Sequence, residues 1–195
     1  MIGPDSAHGS TRWGDWMGRP AAEVYARLRE KDSLGIDDAC LACIREQGFL
    51  LYLPEAYEEA LLEVAFECEL GSAEDAVAGW IERSVLRALE RVLERQREDE
   101  RSGKPANGAS HRFLIELFGL PPERGRHASV RFHALPKRSR RAFRALVIED
   151  RPLEEVERMG LGDRAELLRS ILTIYEAVGA TMKPEYLPMT LEGEG

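Results

Sequence analysis

The chain has 195 residues, 44% apolar and 32% charged, with a net charge of −8, the composition of one folded domain or two small ones with a charged surface. Its longest uninterrupted apolar run, Ala39 to Ile44, falls far short of the roughly 20 residues that span a bilayer, so no membrane partner is expected. The start, "MIGPDSAHGSTRWGDWMG", has neither a basic opening nor an apolar core, which excludes a secretory signal from the expectations and points to the cytoplasm.

The charge is unevenly distributed. Residues 1–100 carry 11 basic and 22 acidic groups, residues 101–144 carry 11 and 2, and residues 145–195 carry 5 and 11. A basic middle between acidic ends can meet phosphates or the protein's own acidic surface. Cys40, Cys43 and Cys68 are an odd count, and reduced thiols serving as small apolar residues on a helix face are the expectation. Cys40 and Cys43 form a C-x-x-C pair with no second pair, and His8, His111, His127 and His133 lack finger-like spacing, so no metal or cofactor is expected.

The patterning along the chain is helical, and the expected fold class is all-α. "RPAAEVYARLRE" has Pro20 in a first-turn position and Val24 and Leu28 four apart, predicting a helix over about 20–31. "IDDACLACIREQG" has acids at its start and Gly48 at its end, matching the macrodipole and a left-handed cap. "PEAYEEALLEVAFECELG" aligns Tyr57, Leu61, Val64, Ala65 and Cys68, and its glutamates, Glu58, Glu59, Glu63, Glu67 and Glu69, are expected on a solvated face. The next helix opens with Ser72 and Asp75 in capping-box spacing and repeats Val77, Ile81, Val85, Leu89 and Leu93. Trp80 is expected in the core, while Trp13 and Trp16 are expected to dock on the body or on a partner.

Residues 96–111 are almost wholly polar and read as a linker. "HRFLIELFGLPPERG" is a short amphipathic piece and "RHASVRFH" an extended or looped one. Three helices follow, over about 136–149 (Ala142, Phe143, Leu146 and Val147 inward), 152–159 (Leu153, Val156 and Met159) and 163–179 (Leu168, Ile171, Leu172, Tyr175 and Val178). "GLGD" between the last two supplies a glycine turn and an N-cap, the helix-turn-helix pattern. The expected organisation is a helical domain over 20–95, a linker with a short amphipathic segment over 96–134, a helix-turn-helix domain over 135–180 and a mobile tail over 181–195.

"ALPKRSRRAFRALVIEDRPLEEVERMGLGDRAELLRSIL" resembles the C-terminal region 4 of bacterial RNA polymerase sigma factors of the extracytoplasmic-function type, with Leu135, Pro136, Phe143, Leu153 to Val156, Gly160 and Leu161 at matching places. "LLEVAFECELGSAEDAVAGWIERSVLRALERV" is similar to their region 2 through Ala73, Glu74, Asp75 and Val77. The two matches cover about 75 residues. The family's tryptophan-containing helix and the basic helix after it, which open the promoter, have no clear counterpart between residues 94 and 134.

The resemblance implies a transcription protein that binds core RNA polymerase, duplex promoter DNA, or both, with an anti-sigma-like protein as a further partner. Arg164, Arg169 and Ser170 on the second helix are the candidates for base edges, and Arg138, Arg140, Arg141 and Arg144 for phosphates. Lys137 shares a helix side with Arg140, Arg141 and Arg144; a solvated face is the plainer account of that run. Glu166 and Glu176 lie among the base-reading candidates, which favours the alternative, a sigma-derived protein-interaction module that has lost DNA recognition. No nucleophile and base, paired carboxylates or phosphate-cradling loop is evident, so no enzyme activity is expected.

Overall fold

The computed structural model describes residues 15–71, 77–104 and 108–182. The expected capping box at Ser72 and Asp75, Ala73 and Glu74 of the region 2 likeness, Trp13, and residues 183–195 of the expected tail lie outside them. The regular structure of the described residues is helical, without strands: α1 (Ala21–Glu30), α2 (Ile36–Gln47), α3 (Leu53–Leu70), α4 (Val77–Arg101), α5 (Ala109–Phe118), α6 (Gly125–His133), α7 (Lys137–Phe143), α8 (Leu153–Arg158) and α9 (Arg164–Val178). Among them no helix is long and apolar enough to cross a membrane.

The first core joins α1 to α4. Val24, Leu28, Ile36, Cys40, Ile44, Leu61, Val64, Cys68, Ile81, Val85 and Leu89 are buried there, with Trp80 and Trp16. The glutamates of α3 do not form a simple solvated face. Antiparallel α3 and α4 set Glu59, Glu63 and Glu67 opposite Arg95, Arg91 and Arg87: Arg95–Glu59 is 2.6 Å, Arg91 contacts Glu63, and Arg87 reaches Glu67 at 2.5 Å and Glu63 at 3.6 Å. Glu63 is buried. Each half-exposed pair contributes at most about 1 kcal/mol, but Glu63 without its arginines would be a buried, unpaired charge.

The second core takes Leu114 and Phe118 from α5, Ala128 and Phe132 from α6, Phe143 from α7, Val156 from α8, and Leu167, Ile171, Ile174, Tyr175 and Val178 from α9. Phe118 stacks on Phe143 at 5.4 Å, and Tyr175 meets Phe118 edge-on at 5.5 Å. The expected linker is corrected here. Helix α4 runs on to Arg101, and "RHASVRFH", expected as extended or loop, lies in α6. Its buried residues are Gly125, Ala128, Ser129, Phe132 and His133, a helical stripe concealed in the sequence by a serine and a histidine.

Two inward faces are also corrected. On α9 the buried set is Leu167, Ile171, Ile174, Tyr175 and Val178, and Leu172 is exposed. Met159, expected inward after α8, is exposed as well. After Phe143 the expected α-helix widens into a π turn, Arg144–Ile148.

The two cores are pinned by the extended segment after α2. Leu50 leaves the first core and is buried in the second, its N–H donates to His133 Nε2 at 3.1 Å, and the Tyr52 N–H donates to Ser110 Oγ at 3.0 Å. Glu55 on α3 accepts from both the Ser110 N–H (2.8 Å) and its hydroxyl (2.7 Å). Gly48 caps α2 in the left-handed region (φ 63°) and lies so close to α7 that a Cβ there would sit 2.6 Å from Arg141 N and 2.7 Å from Arg140 C. Gly35 has the same left-handed conformation (φ 71°) with open space around it. Gly48→Ala is therefore expected to lower the unfolding free energy by more than ~2 kcal/mol, strain plus overpacking, against ~1 kcal/mol for Gly35→Ala, measured by urea denaturation. Equal losses would contradict the close approach of α2 and α7.

Candidate nucleic-acid interface

The helix-turn-helix is built as its local sequence dictates. Pro152 precedes α8, Gly160 (φ 71°) and Gly162 (φ 150°) carry the turn, and Asp163 and Glu166 close a reciprocal capping box at the start of α9. Leu161 in the turn and Val156 on α8 join the second core, which fixes the helix pair against α7.

On α9, Arg164, Glu166, Arg169, Leu172, Thr173 and Glu176 are exposed. Two arginines and two glutamates make that face formally neutral, a poor complement to a duplex with one negative charge per ~1.7 Å. Ser170 is half-buried, its hydroxyl 3.4 Å from that of Ser139. Arg138 lies beside α9 but is engaged there: Nε donates to the Leu161 carbonyl at 2.8 Å, and Nη2 pairs with Glu166 at 3.0 Å. Arg138, Glu166, Arg169, Ser170 and Thr173 line a shallow depression of about 250 Å³.

The rest of the basic run faces the opposite way, toward α2. Lys137 pairs with Glu46 at 2.8 Å and Arg141 approaches the same carboxylate at 3.4 Å. The hydrogen bond from Lys137 holds the Glu46 carboxyl below the usual carboxylate range, with the Arg141 charge adding to it. Arg140 donates to the Gln47 carbonyl from Nε and Nη2 (3.3 and 3.0 Å), and from Nη1 to the carbonyls of His133 (2.7 Å) and Leu135 (2.9 Å). Its guanidinium lies 5.6 Å from the Phe49 ring centre. Arg144 donates to the Phe49 carbonyl at 3.1 Å and approaches Glu149 at 3.3 Å. Burial raises the Glu149 carboxyl pKa, but hydrogen bonds from Arg45 and Arg151 and the charges of Arg45 and Arg144 outweigh it, and the net shift is downward.

The structure thus brings the seven sequence-derived candidates to two separate places. Arg138, Arg164, Arg169 and Ser170 lie around the start of α9, while Arg140, Arg141 and Arg144 lie between α7 and the end of α2. Sequence reasoning missed His133, whose imidazole sits fully enclosed between the halves. Nε2 accepts from Leu50, so the proton resides on Nδ1, 2.8 Å from the Ser129 carbonyl. No pattern of residue types marks such a histidine.

Among the described residues no group of three or more His, Cys, Asp or Glu is placed to hold a metal. Burial pushes the thiols of Cys40, Cys43 and Cys68 up to about 12, 11 and 11, so they are poor nucleophiles at neutral pH.

Arg140 satisfies three carbonyls and Lys137 only an exposed glutamate, so Arg140→Met is expected to cost ~2–4 kcal/mol and Lys137→Met no more than ~1 kcal/mol in urea unfolding. The His133 pKa is lowered to about 3, by burial first, so the unfolded chain takes up this proton before the folded one does. Its contribution to stability is complete above pH ~6.5 and lost as pH falls toward 3. Stability at pH 5 should lie ~2 kcal/mol below that at pH 7, and His133→Gln should flatten most of that slope; denaturation midpoints across pH check it. Comparison of the chain with protein-family models, with curated proteins and with solved structures finds no match.

Proposed function

We propose that this chain is a sigma-factor-like transcription protein that acts through protein contacts, with duplex-DNA recognition lost in the arrangement described here. The observation that carries this reading is the commitment of Lys137, Arg138, Arg140, Arg141 and Arg144 to acceptors within the chain. A phosphate contact would have to displace an internal carboxylate or leave main-chain carbonyls without a donor, at a cost of about 1–3 kcal/mol for each such group.

The neutral outer face of α9 supports the same reading. The likeness to region 4 and region 2 supports a transcription role, with core RNA polymerase the partner of α1 to α4 and an anti-sigma-like protein a further one. On this reading the protein is cytoplasmic, uses no cofactor and is not an enzyme.

A second reading, groove recognition by α9, is favoured by one feature: Arg164 and Arg169 lie exposed in its first two turns. Titration of the full chain into duplex DNA separates the two. The proposal expects no binding at about 50 mM salt, whereas affinity falling with a log-log slope of about −0.9 per phosphate, and weakened by Arg169→Ala, would establish the second reading. Retention of core RNA polymerase by the immobilised full chain is expected, and its absence would overturn the polymerase assignment.

A further inference from the structure

Between the two halves the chain gathers more positive charge than it neutralises. A recess of about 170 Å³ lies there, walled by Arg45 and Glu46 near the end of α2 and, from the other half, by Arg141, Arg144, Glu149 and Arg151. Glu149 receives three arginines: Arg45 and Arg151 through Nε at 2.8 Å each, and Arg144 through Nε at 3.3 Å. Glu46 is shared by Lys137 and Arg141, and Arg151 also reaches Glu155 at 2.6 Å. This linked group sets five cations against three carboxylates, an excess of two. The nearby exposed acids Asp150 and Glu154 form no ion pair with it among the described residues.

Donors are left over as well as charge. Arg45 engages Glu149 through Nε, and Arg151 uses Nε on Glu149 and Nη1 on Glu155. Both Nη groups of Arg45 and Nη2 of Arg151 have no acceptor among the described residues. Burial first, and the charge of Arg45 with it, lower the Arg144 pKa despite the adjacent Glu149, the mark of a place short of negative charge.

We infer that this recess binds a phosphate group, carried by inorganic phosphate or by a small phosphate monoester, between Arg45 of one half and Arg151 of the other. Charge and size select the ligand. A phosphate monoester carries about −1.5 to −2 at pH 7, which meets the excess of two, whereas a single carboxylate leaves one charge unmet. Guanidinium forks match its oxygens in pairs. At ~30 Å³ per water the recess has room for one tetrahedral oxyanion and a few waters, and it is well below the ~300 Å³ at which pockets enclose larger organic ligands. A duplex, which lays a run of phosphates along a surface, does not enter it. Arg141 and Arg144 keep their internal acceptors and contribute their field, so the commitment of the basic helix to the joint stands. The inference is independent of the sigma likeness, because it rests on the ion pairs of this recess alone.

Calorimetric titration of the full chain with inorganic phosphate, and separately with glycerol phosphate, tests it, with ionic strength held constant by sodium chloride. A dissociation constant below ~1 mM is expected for at least one of the two, weakened at least about tenfold by Arg45→Met and by Arg151→Met. Arg27→Met, on the distant α1, is expected to leave it unchanged. The Arg45 and Arg27 side chains are 49% and 52% exposed, so these variants should fold, which their unfolding transitions verify. Binding of inorganic phosphate alone assigns the recess to free phosphate, and binding of the ester assigns it to a monoester. No binding of either, unchanged affinity in Arg45→Met or Arg151→Met, or equal weakening by Arg27→Met would overturn the inference. So would duplex DNA that binds and loses its affinity in Arg45→Met, since this assigns the arginines to a nucleic-acid backbone.

Discussion

One guanidinium carries the junction on which the rest of this structure depends. Arg140 donates to carbonyls of Gln47, His133 and Leu135, which belong to the end of α2, the end of α6 and the turn into α7. Helix ends leave carbonyls without intrahelical partners, and here two such ends meet the Leu135 carbonyl of the turn into α7 at a part-buried junction. A planar donor with five N–H groups reaches several at once, and lysine with its single point charge does not. Once that centre is set, Leu50 enters the second core, its amide meets His133, and Gly48 allows α2 and α7 to approach closely enough to close the joint.

The same centre reorganises the meaning of the charge pattern. A basic middle in an acidic chain suggests phosphate from residue types alone. In the folded molecule the sequence-distant Glu46, the nearby Glu149 and the carbonyls of residues 47 and 49 engage Lys137, Arg140, Arg141 and Arg144. The acidic N-terminal half and the basic middle are complementary parts of one body, and the helix-turn-helix is held by its supporting helix against that body. This couples the proposed loss of DNA reading to stability: exposing α7 to phosphates means dismantling the joint.

Much of this was legible in the sequence where periodicity and end signals agree. Helices α1 to α4 and the triad α7 to α9 follow from apolar stripes ended by Gly48, Gly71 and Gly179, and the turn of the helix-turn-helix from two glycines and Asp163. Helix α6 was not legible because Ser129 and His133 fill buried positions, satisfied by Gln96 and Leu50 from elsewhere in the chain. The α9 face was misjudged because leucines and isoleucines stand on both sides of it, at 167, 168, 171, 172 and 174, and only packing selects the inner set. For the candidate site, an arginine that binds phosphate and one that binds a carbonyl 93 residues away look alike in sequence.

The central claim, that the basic helix is spent on joining the two halves, is tested most directly by site-resolved amide hydrogen exchange at Leu50. Its N–H is buried and bonded across the joint to His133, so it exchanges only when the halves part. The account predicts that Leu50 exchanges with a free energy within ~1 kcal/mol of the slowest amides of either core. Exchange at Leu50 through a low-energy local opening, with both cores still protected, would mean that the halves separate readily and that α7 is available to other partners.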